Sequence, residues 1–185
     1  MDVLEAISQR KSTRVYKSTP VDDSILLKIF EAARQAPSWS NSQCWRFVVV
    51  RDAATRSALA DTAVWANNRG IESGRSAPIL IVACAEVGRA GAREGKTVTN
   101  KGAYWYMFDT ALAMQNLVLA AESFGLGTVY LGAFDAEKAG AIIGLPEGYQ
   151  VVAMTPLGYP DEQPARRPRK ELSEIVFYEK FGNKK

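Results

Sequence analysis

Residues 103–125, AYWYMFDTALAMQNLVLAAESFG, contain the longest helix that the sequence predicts, and this helix decides the fold. Apolar side chains cover nearly every side of it over residues 103–124, and Gly125 is a typical helix C-terminal signal. The stretch would just span a bilayer. Four polar residues interrupt it: Asp109, Gln115, Asn116 and Glu122. Because polar groups are costly inside lipid, we predict a central core helix of a globular domain, which a partner chain could share, and no membrane association.

The rest of the chain alternates amphipathic helices with short apolar strands. The predicted helices cover residues 2–10, 22–36, 53–63 and 136–143, and the predicted strands cover residues 45–50, 78–85, 127–132 and 149–158. Few strands beside dominant helices predict an α+β sandwich rather than a regular βαβ array. We expect one domain over residues 1–185, in which residues 160–185 form an extended C-terminal arm. The Gly- and charge-rich residues 86–102 are predicted to form a long loop or lid.

The composition excludes several classes of function. The chain carries 23 basic and 20 acidic side chains, and this balance does not predict nucleic-acid binding. The absence of histidine excludes His-based triads, His general bases and most zinc sites, and no metal site is predicted. Cys44 and Cys84 are predicted to be buried, reduced thiols, as expected in the cytoplasm. The N-terminus shows no secretion signal, which also predicts a cytoplasmic protein.

A first basic cluster follows the first predicted helix: Arg10, Lys11, Ser12, Thr13 and Arg14. Cations and hydroxyl groups at this density suit a phosphate monoester, because guanidinium groups offer paired donors while hydroxyl and backbone N–H groups complete the shell. The alternative is a helix C-terminus that carries cations because they interact favourably with the helix dipole.

A second basic cluster lies in the arm, where prolines space Arg166, Arg167, Arg169 and Lys170. Either this cluster meets the first one at a shared anion, or it belongs to a solvated tail. The sequence has no dinucleotide fingerprint, since GLGTVYLG (residues 125–132) follows a helix and enters a strand, the reverse of the Rossmann order. A P-loop motif is also absent, so any bound nucleotide is held in another way.

Four segments together resemble the nitroreductase family of flavin enzymes from end to end of the chain. RKSTR (residues 10–14) is similar to the family's first phosphate-binding segment, and APSWSNSQCWRF (36–47) to its APS-x-x-N-x-QPW-x-F loop, with Cys44 at the proline position. DTALAMQNLVLAAESFGLGTVYLGAF (109–134) is similar to the core helix and the flavin-facing segment. PLGYP…RPRK (156–170) is similar to the arm that contacts the phosphate.

The resemblance implies a nitroreductase-like α+β sandwich, with a central mixed or antiparallel sheet flanked by helices, and a homodimer with FMN at the interface. The residues implied to bind the cofactor are Arg10, Lys11, Ser12, Arg14, Pro37, Ser38, Trp39, Ser40, Asn41, Gln43, Leu131, Gly132, Ala133, Arg167 and Arg169. Residues 37–43 would cross to the flavin of the other subunit and bury Trp39 there. A Trp39 folded onto its own core is the alternative. Asn41 and Gln43 would either bond the flavin edge or brace the loop.

The implied chemistry accounts for the missing histidine, because the flavin carries the reaction and the protein positions it. We expect an FMN-dependent oxidoreductase that transfers hydride by a ping-pong mechanism from NADH or NADPH to a nitroaromatic, a quinone or a similar small acceptor. No side chain is assigned as catalytic. Arg14 is the candidate donor near flavin N1 and O2, and a backbone N–H near Gly132 is the candidate donor to N5. The alternatives are reductive dehalogenation, ene reduction or flavin fragmentation on the same fold, or a non-catalytic anion-binding module.

Overall fold

The computed structural model of the protein describes residues 1–64, 69–94 and 96–184. Its helices are α1 (Val3–Gln9), α2 (Asp23–Arg34), α3 (Ala53–Ala60), α4 (Arg69–Ser76), α5 (Trp105–Ser123), α6 (Ala136–Ile142) and α7 (Leu172–Ile175), and a 3₁₀ turn covers Trp39–Asn41. Its strands are β1 (Trp45–Val50), β2 (Ile79–Glu86), β3 (Ala92–Arg93), β4 (Lys96–Thr97), β5 (Gly127–Thr128) and β6 (Tyr149–Gly158). The longest predicted helix is present as α5.

Local capping signals explain where several helices begin and where the core helix ends. The N-caps whose carboxylates accept a first-turn N–H are Asp2 for α1, Asp22 for α2, Asp52 for α3 and Asp135 for α6. Such bonds satisfy backbone donors that have no partner within the helix. At the end of α5, Gly125 adopts φ +73°, the left-handed conformation in which glycine commonly terminates a helix.

The main sheet has the strand order β1-β2-β6-β5, and each neighbouring pair is antiparallel. β2 is central, and alternate residues on it face opposite sides of the sheet. Ile79 and Ile81 belong to the core cluster that contains α2 and α5, whereas Leu80 and Val82 belong to the cluster that contains α3 and α6. Helices therefore enclose the sheet on both faces, and the predicted α+β sandwich is confirmed.

Three details of the secondary structure differ from the sequence prediction. Helix α4 was not predicted, because Gly70 and Gly74 lower its helix propensity. The predicted loop 86–102 contains the short hairpin β3–β4, apart from Gly95, which lies outside the described residues. The predicted strand 127–132 is continuous only over β5, because the chain leaves the sheet after Thr128 and pairs with β6 again at a single bridge between Leu131 and Met154. In the part of the chain that the structure describes, no helix is both long and apolar enough to cross a membrane.

Exposed apolar side chains cluster on α1 and at the start of α5. On α1, the first of the predicted amphipathic helices, Val3, Leu4 and Ile7 are 64%, 73% and 52% exposed, so its apolar side chains do not face the core. Three large apolar side chains are also exposed where α5 begins: Tyr104, Met107 and Phe108. α1 packs against α5, and each set forms a cluster of exposed apolar side chains on its own helix. Clustered apolar exposure of this kind is typical of an interaction surface.

The segment after α1 is joined by hydrogen bonds to β5 and to the chain that leaves β6. Three backbone N–H···O bonds of 2.9 Å make the join: Thr13 to Thr128, Lys17 to Tyr159, and Asp161 to Val15. The carboxylate of Glu162 also accepts the backbone N–H groups of Arg14 (2.5 Å) and Val15 (3.2 Å). We call this set of bonds, between residues 12–17 and residues 128 and 159–162, the terminal ladder. It holds the two ends of the domain side by side.

We expect Gly127→Ala to destabilise the protein by disturbing the terminal ladder. A Cβ at residue 127 would lie 2.6 Å from the Cβ of Thr13, closer than van der Waals contact allows. Overpacking of this kind costs about 1–3 kcal/mol, so the free energy of unfolding in urea should fall by that amount. In the control Gly74→Ala, the added Cβ lies 3.5 Å from Ala60, and stability should hold or rise. If Gly127→Ala were as stable as the wild type, this would contradict the close packing of Gly127 against Thr13.

Candidate functional site

The two basic clusters line one cavity, which we call the basic cavity. Its volume is about 320 Å³. Its lining consists of Arg10, Lys11, Ser12 and Arg14 from the segment after α1, and of Pro164, Ala165, Arg166, Arg167 and Arg169 from the arm. Among the described residues, no Asp or Glu belongs to this lining. The structure thus brings together two clusters whose relation the sequence left open.

The terminal ladder explains why the clusters meet. Thr13, at the centre of the first cluster, is 4% exposed and bonded to β5, while its neighbours Ser12 and Arg14 are half-buried and line the cavity. The guanidinium group of Arg14 donates to the backbone oxygen of Ser12 (3.1 Å), which limits the orientations that it can adopt. Like charges gathered in one cavity repel each other, so a bound anion would be strongly favoured there.

A larger cavity of about 560 Å³ adjoins the basic cavity and shares Arg14 and arm residues with it. Arg69 and Glu72 of α4 and Glu162 also line this second cavity. The carboxylate of Glu162 is already engaged by backbone N–H groups of the terminal ladder. Arg69 and Glu72 were not predicted as lining residues, because no motif marks α4 and its helix propensity is low.

The loop after α2, which we call the polar loop (residues 37–43), is built on left-handed backbone. Ser40, Asn41 and Gln43 have φ values of +47°, +54° and +46°, although none of them is glycine. Within the loop, Ser38 Oγ accepts the N–H of Gln43 (3.0 Å), and the Gln43 amide donates to the Asn41 side chain (3.1 Å). Left-handed residues that carry a Cβ cost roughly 1–3 kcal/mol each, so the loop needs compensating contacts.

Asp109 of α5 supplies such contacts. Its Oδ2 atom accepts the backbone N–H of Trp39 (3.0 Å) and the hydroxyl of Ser42 (3.1 Å). Asp109 is only 1% exposed; burial raises its pKa, while the hydrogen bonds from the loop oppose that rise. Bonds to a charged group contribute roughly 1.5–3 kcal/mol each, which is comparable to the strain of the loop. In the sequence, Asp109 stands out only as a polar interruption of an apolar helix, and this interruption is the one local signal of its role.

Trp39 packs against its own chain. It is half-buried, and it contacts a core cluster that includes Cys44, Ala90 and Tyr106. This is the arrangement given as the alternative in the sequence analysis, and a contact of Trp39 with a flavin or a partner stays a prediction. Cys44 and Cys84 are buried free thiols, as predicted, and burial raises the pKa of both.

The exposed side of the polar loop borders a third cavity. Asn41, Ser42 and Gln43 line it together with Arg46 and Arg89, and its volume is about 310 Å³. Pro37, Ser38 and Ser40 are absent from this lining. The guanidinium group of Arg46 donates to the backbone oxygen of Gln43 (2.9 Å) and so attaches the end of the loop to β1.

The Leu131–Ala133 segment is held on both sides of an open glycine. Leu131 exchanges backbone bonds with Met154 on β6 (2.8 and 3.0 Å), and the oxygen of Ala133 accepts the N–H of Val64 (3.1 Å). Between them, Gly132 is exposed, and a Cβ at this position would meet nothing within 4 Å. No hydrogen bond of the Gly132 N–H occurs among the described residues. The backbone of Gly132 is therefore held on both sides and lies next to open space.

The predicted parts of the site do not share one cavity within a single chain. The basic cavity and the cavity beside the polar loop have no lining residue in common. Leu131 and Ala133 border a small pocket next to Leu59 and Phe134 and line neither of those cavities. Among residues 1–64, 69–94 and 96–184, no group of three or more Cys, Asp or Glu side chains is arranged to bind a metal ion.

Comparison with known proteins agrees with the fold and with the sequence resemblance. The sequence profile of the nitroreductase family matches residues 7–75 and 71–159. The chain is 32% identical to a protein named NADH dehydrogenase from Thermus thermophilus, over 96% of this chain and 96% of that protein.

Solved structures show the same similarity. A nitroreductase family protein from Clostridium novyi NT superimposes with a TM-score of 0.80 at 31% identity, covering 99% of this chain and 96% of the other. The NADPH:FMN oxidoreductase from Vibrio harveyi, solved in complex with NAD⁺, superimposes with a TM-score of 0.84 at 28% identity, covering 99% of this chain and 79% of the other. The profile match spans most of the chain, and the resemblance drawn from the four sequence segments is confirmed. The chain belongs to the nitroreductase family.

Proposed function

We propose that the protein is an FMN-dependent NAD(P)H oxidoreductase that passes hydride by a ping-pong mechanism to a nitroaromatic, a quinone or a similar small acceptor. The observation that carries this proposal is the basic cavity, where cations from both ends of the domain meet without an acid in the lining. A donor set of guanidinium, ammonium and hydroxyl groups suits a phosphate monoester. The names of the Thermus and Vibrio relatives support NAD(P)H and flavin as the partners of this chemistry.

The residues present fit the phosphate end of FMN. Arg10 and Arg14 would supply forked donors, with Lys11 and the hydroxyl of Ser12 between them. Arg167 and Arg169 would close the site from the arm. The adjoining cavity of about 560 Å³ begins at Arg14 and leaves room for the rest of the cofactor. A single cluster of cations at the end of a helix would not adjoin a second cavity with room for the rest of the cofactor.

The hydride chemistry belongs to the cofactor, and the chain would position and polarise it. When bound, FMN supplies an N5 atom that accepts hydride from NADH or NADPH and passes it on. Arg14 borders both cavities, so we assign its positive charge to the N1–O2 side of the ring. The N–H of Gly132, held between Leu131 and Ala133, is assigned to N5. No side chain is assigned as an acid or a base, and water would supply the acceptor's protons.

We propose that two chains form a homodimer in which each flavin contacts residues of both. The apolar surface on α1 and at the start of α5 supports this arrangement, because it lacks cover in the single chain. The separation between the basic cavity and the polar loop also supports it, since Pro37, Ser38, Trp39, Ser40, Asn41 and Gln43 would reach the flavin of the other subunit. We also propose that residues 1–185 form a single domain and that the residues from 160 onward are its C-terminal arm. The enzyme is proposed to be cytoplasmic.

The proposal is tested with the purified full chain. We expect a flavin absorption spectrum, a released cofactor with the mass of FMN, and oxidation of NADH or NADPH that depends on a nitroaromatic or quinone acceptor. A colourless protein that binds no added FMN would contradict the cofactor assignment. Flavin reduction without turnover of either acceptor, but with turnover of a halogenated or ene substrate, would contradict the reaction and leave the cofactor assignment intact.

Removing one cation of the basic cavity should weaken cofactor binding. A charge-assisted bond typically contributes roughly 1.5–3 kcal/mol, so Arg10→Ala should raise the Kd for FMN roughly tenfold or more. The Kd is measured by titrating flavin fluorescence. Arg34→Ala is the control, because Arg34 forms an exposed ion pair with Glu31 on α2, away from the cavity. Equal Kd values for the two variants would make residues 10–14 an ordinary basic helix end.

Removing the arm beyond the terminal ladder should release the flavin and weaken the dimer. Deletion of residues 164–185 leaves Glu162 and its bonds in place, but it removes Arg167 and Arg169 from the cavity. We expect a lower ratio of flavin to protein and a shift toward monomer in size-exclusion chromatography. A truncated chain that stays dimeric and retains its flavin would assign the arm to an ordinary solvated terminus.

A further inference from the structure

Asp109 accepts hydrogen bonds from the polar loop and from Cys44, the residue that follows the loop. Besides the N–H of Trp39 and the hydroxyl of Ser42, the thiol of Cys44 lies within sulfur hydrogen-bonding distance of the same Oδ2 atom (3.9 Å). All three donors come from one stretch of chain, residues 39–44. A second polar residue of α5 behaves differently: the amide of Asn116 donates to the backbone oxygen of Ala32 and fastens α5 to α2. The bonds of the Asp109 carboxylate therefore fasten the loop, whereas the bond of Asn116 fastens two helices.

The placement of this carboxylate is unusual for a residue that serves stability alone. No ion pair among the described residues includes Asp109, although its side chain is almost fully removed from water. A buried carboxylate without a cation is generally less favourable than an apolar residue of similar size. Hydrogen bonds from the loop compensate it, and in the left-handed form of the loop the donors of Trp39 and Ser42 converge on one oxygen.

We propose that Asp109 is a positioning residue that fixes the left-handed shape of the polar loop and thereby sets how tightly the flavin is held. The second part of this inference rests on the proposed function, because it assumes that the loop contacts a cofactor. Without the Asp109 charge, the bonds within the loop and the bond from Arg46 to Gln43 would have to hold the positive φ values alone, and the loop would relax toward ordinary backbone conformations. The exposed amides of Asn41 and Gln43 would then lose the fixed arrangement in which they border a polar cavity.

Asp109→Asn is the decisive variant, because it keeps the size of the side chain and one accepting oxygen but removes the negative charge that strengthens the bonds from the loop. Asn116→Asp is the matched control: it makes the reverse exchange on the same helix and breaks the bond to Ala32 without changing the acceptor of the loop. Hydrogen exchange of the backbone amides is measured on both full-length variants without flavin, and the Kd for FMN is measured by titration. Thermal unfolding of both variants corrects for any general loss of stability.

We expect the amides of Trp39 and Gln43 to exchange at least tenfold faster in Asp109→Asn than in Asn116→Asp. The Kd for FMN should rise about tenfold in Asp109→Asn alone, as expected for one lost charge-assisted bond. Unchanged exchange of both amides would overturn the inference. Faster exchange with equal FMN affinity in the two variants would also overturn it, because Asp109 would then hold the loop without positioning the cofactor.

Two further results separate this inference from the proposed function. If the wild type binds no FMN, the proposed function fails, and with it the positioning role, while the exchange data still report whether Asp109 holds the loop. If Asp109→Asn does not fold, Ser42→Ala removes a single donor and leaves the carboxylate in place. Ser42→Ala should show faster exchange of the loop amides and weaker FMN binding, both to a smaller extent than Asp109→Asn. If its amide exchange and its Kd for FMN equal those of the wild type, the inference is overturned.

Discussion

The terminal ladder is the interaction on which the basic cavity, and with it the proposed phosphate site, depends. Each of its backbone hydrogen bonds contributes only about 0.5–1.5 kcal/mol, and Glu162 adds a carboxylate acceptor at the same place. Together they hold the segment after α1 beside the chain that leaves β6, although the two are separated by most of the sequence. The six cationic side chains of the basic cavity come from these two segments. Their mutual repulsion opposes the arrangement, and an anion of two charges would turn that repulsion into attraction.

A single chain contains only part of the arrangement that we propose. The basic cavity, the polar loop and the Gly132 segment each have their own supports: the terminal ladder, the Asp109 carboxylate, and the bonds of Leu131 and Ala133. None of these supports brings the polar loop to the basic cavity of the same chain. The exposed apolar side chains of α1 and α5 offer a surface through which a second chain could supply the missing part. Stability, assembly and cofactor binding would then depend on the same interface.

Much of the fold could be predicted from the sequence, because its signals are local. The aspartate caps, the glycine that ends α5 and the apolar run of β1 each act within a few residues. The features that could not be predicted depend on contacts between distant residues. Periodicity identified the stripe of Val3, Leu4 and Ile7 but could not show that it faces away from the core. The composition of α4 resembles a loop, so its contribution to the second cavity was missed. The partners of Asp109 lie far from it in the sequence, and only the folded chain brings them together.

The central claim is that two chains are needed to hold the flavin, and sedimentation velocity tests it most directly. The distribution is recorded at a visible wavelength that only the flavin absorbs, over a range of protein concentrations that spans dissociation. We predict that bound flavin sediments with a species of twice the 20.3 kDa chain mass, at one flavin per chain, and that free flavin accumulates as this species dissociates. Flavin that sediments with the 20.3 kDa monomer at the same stoichiometry would contradict the account.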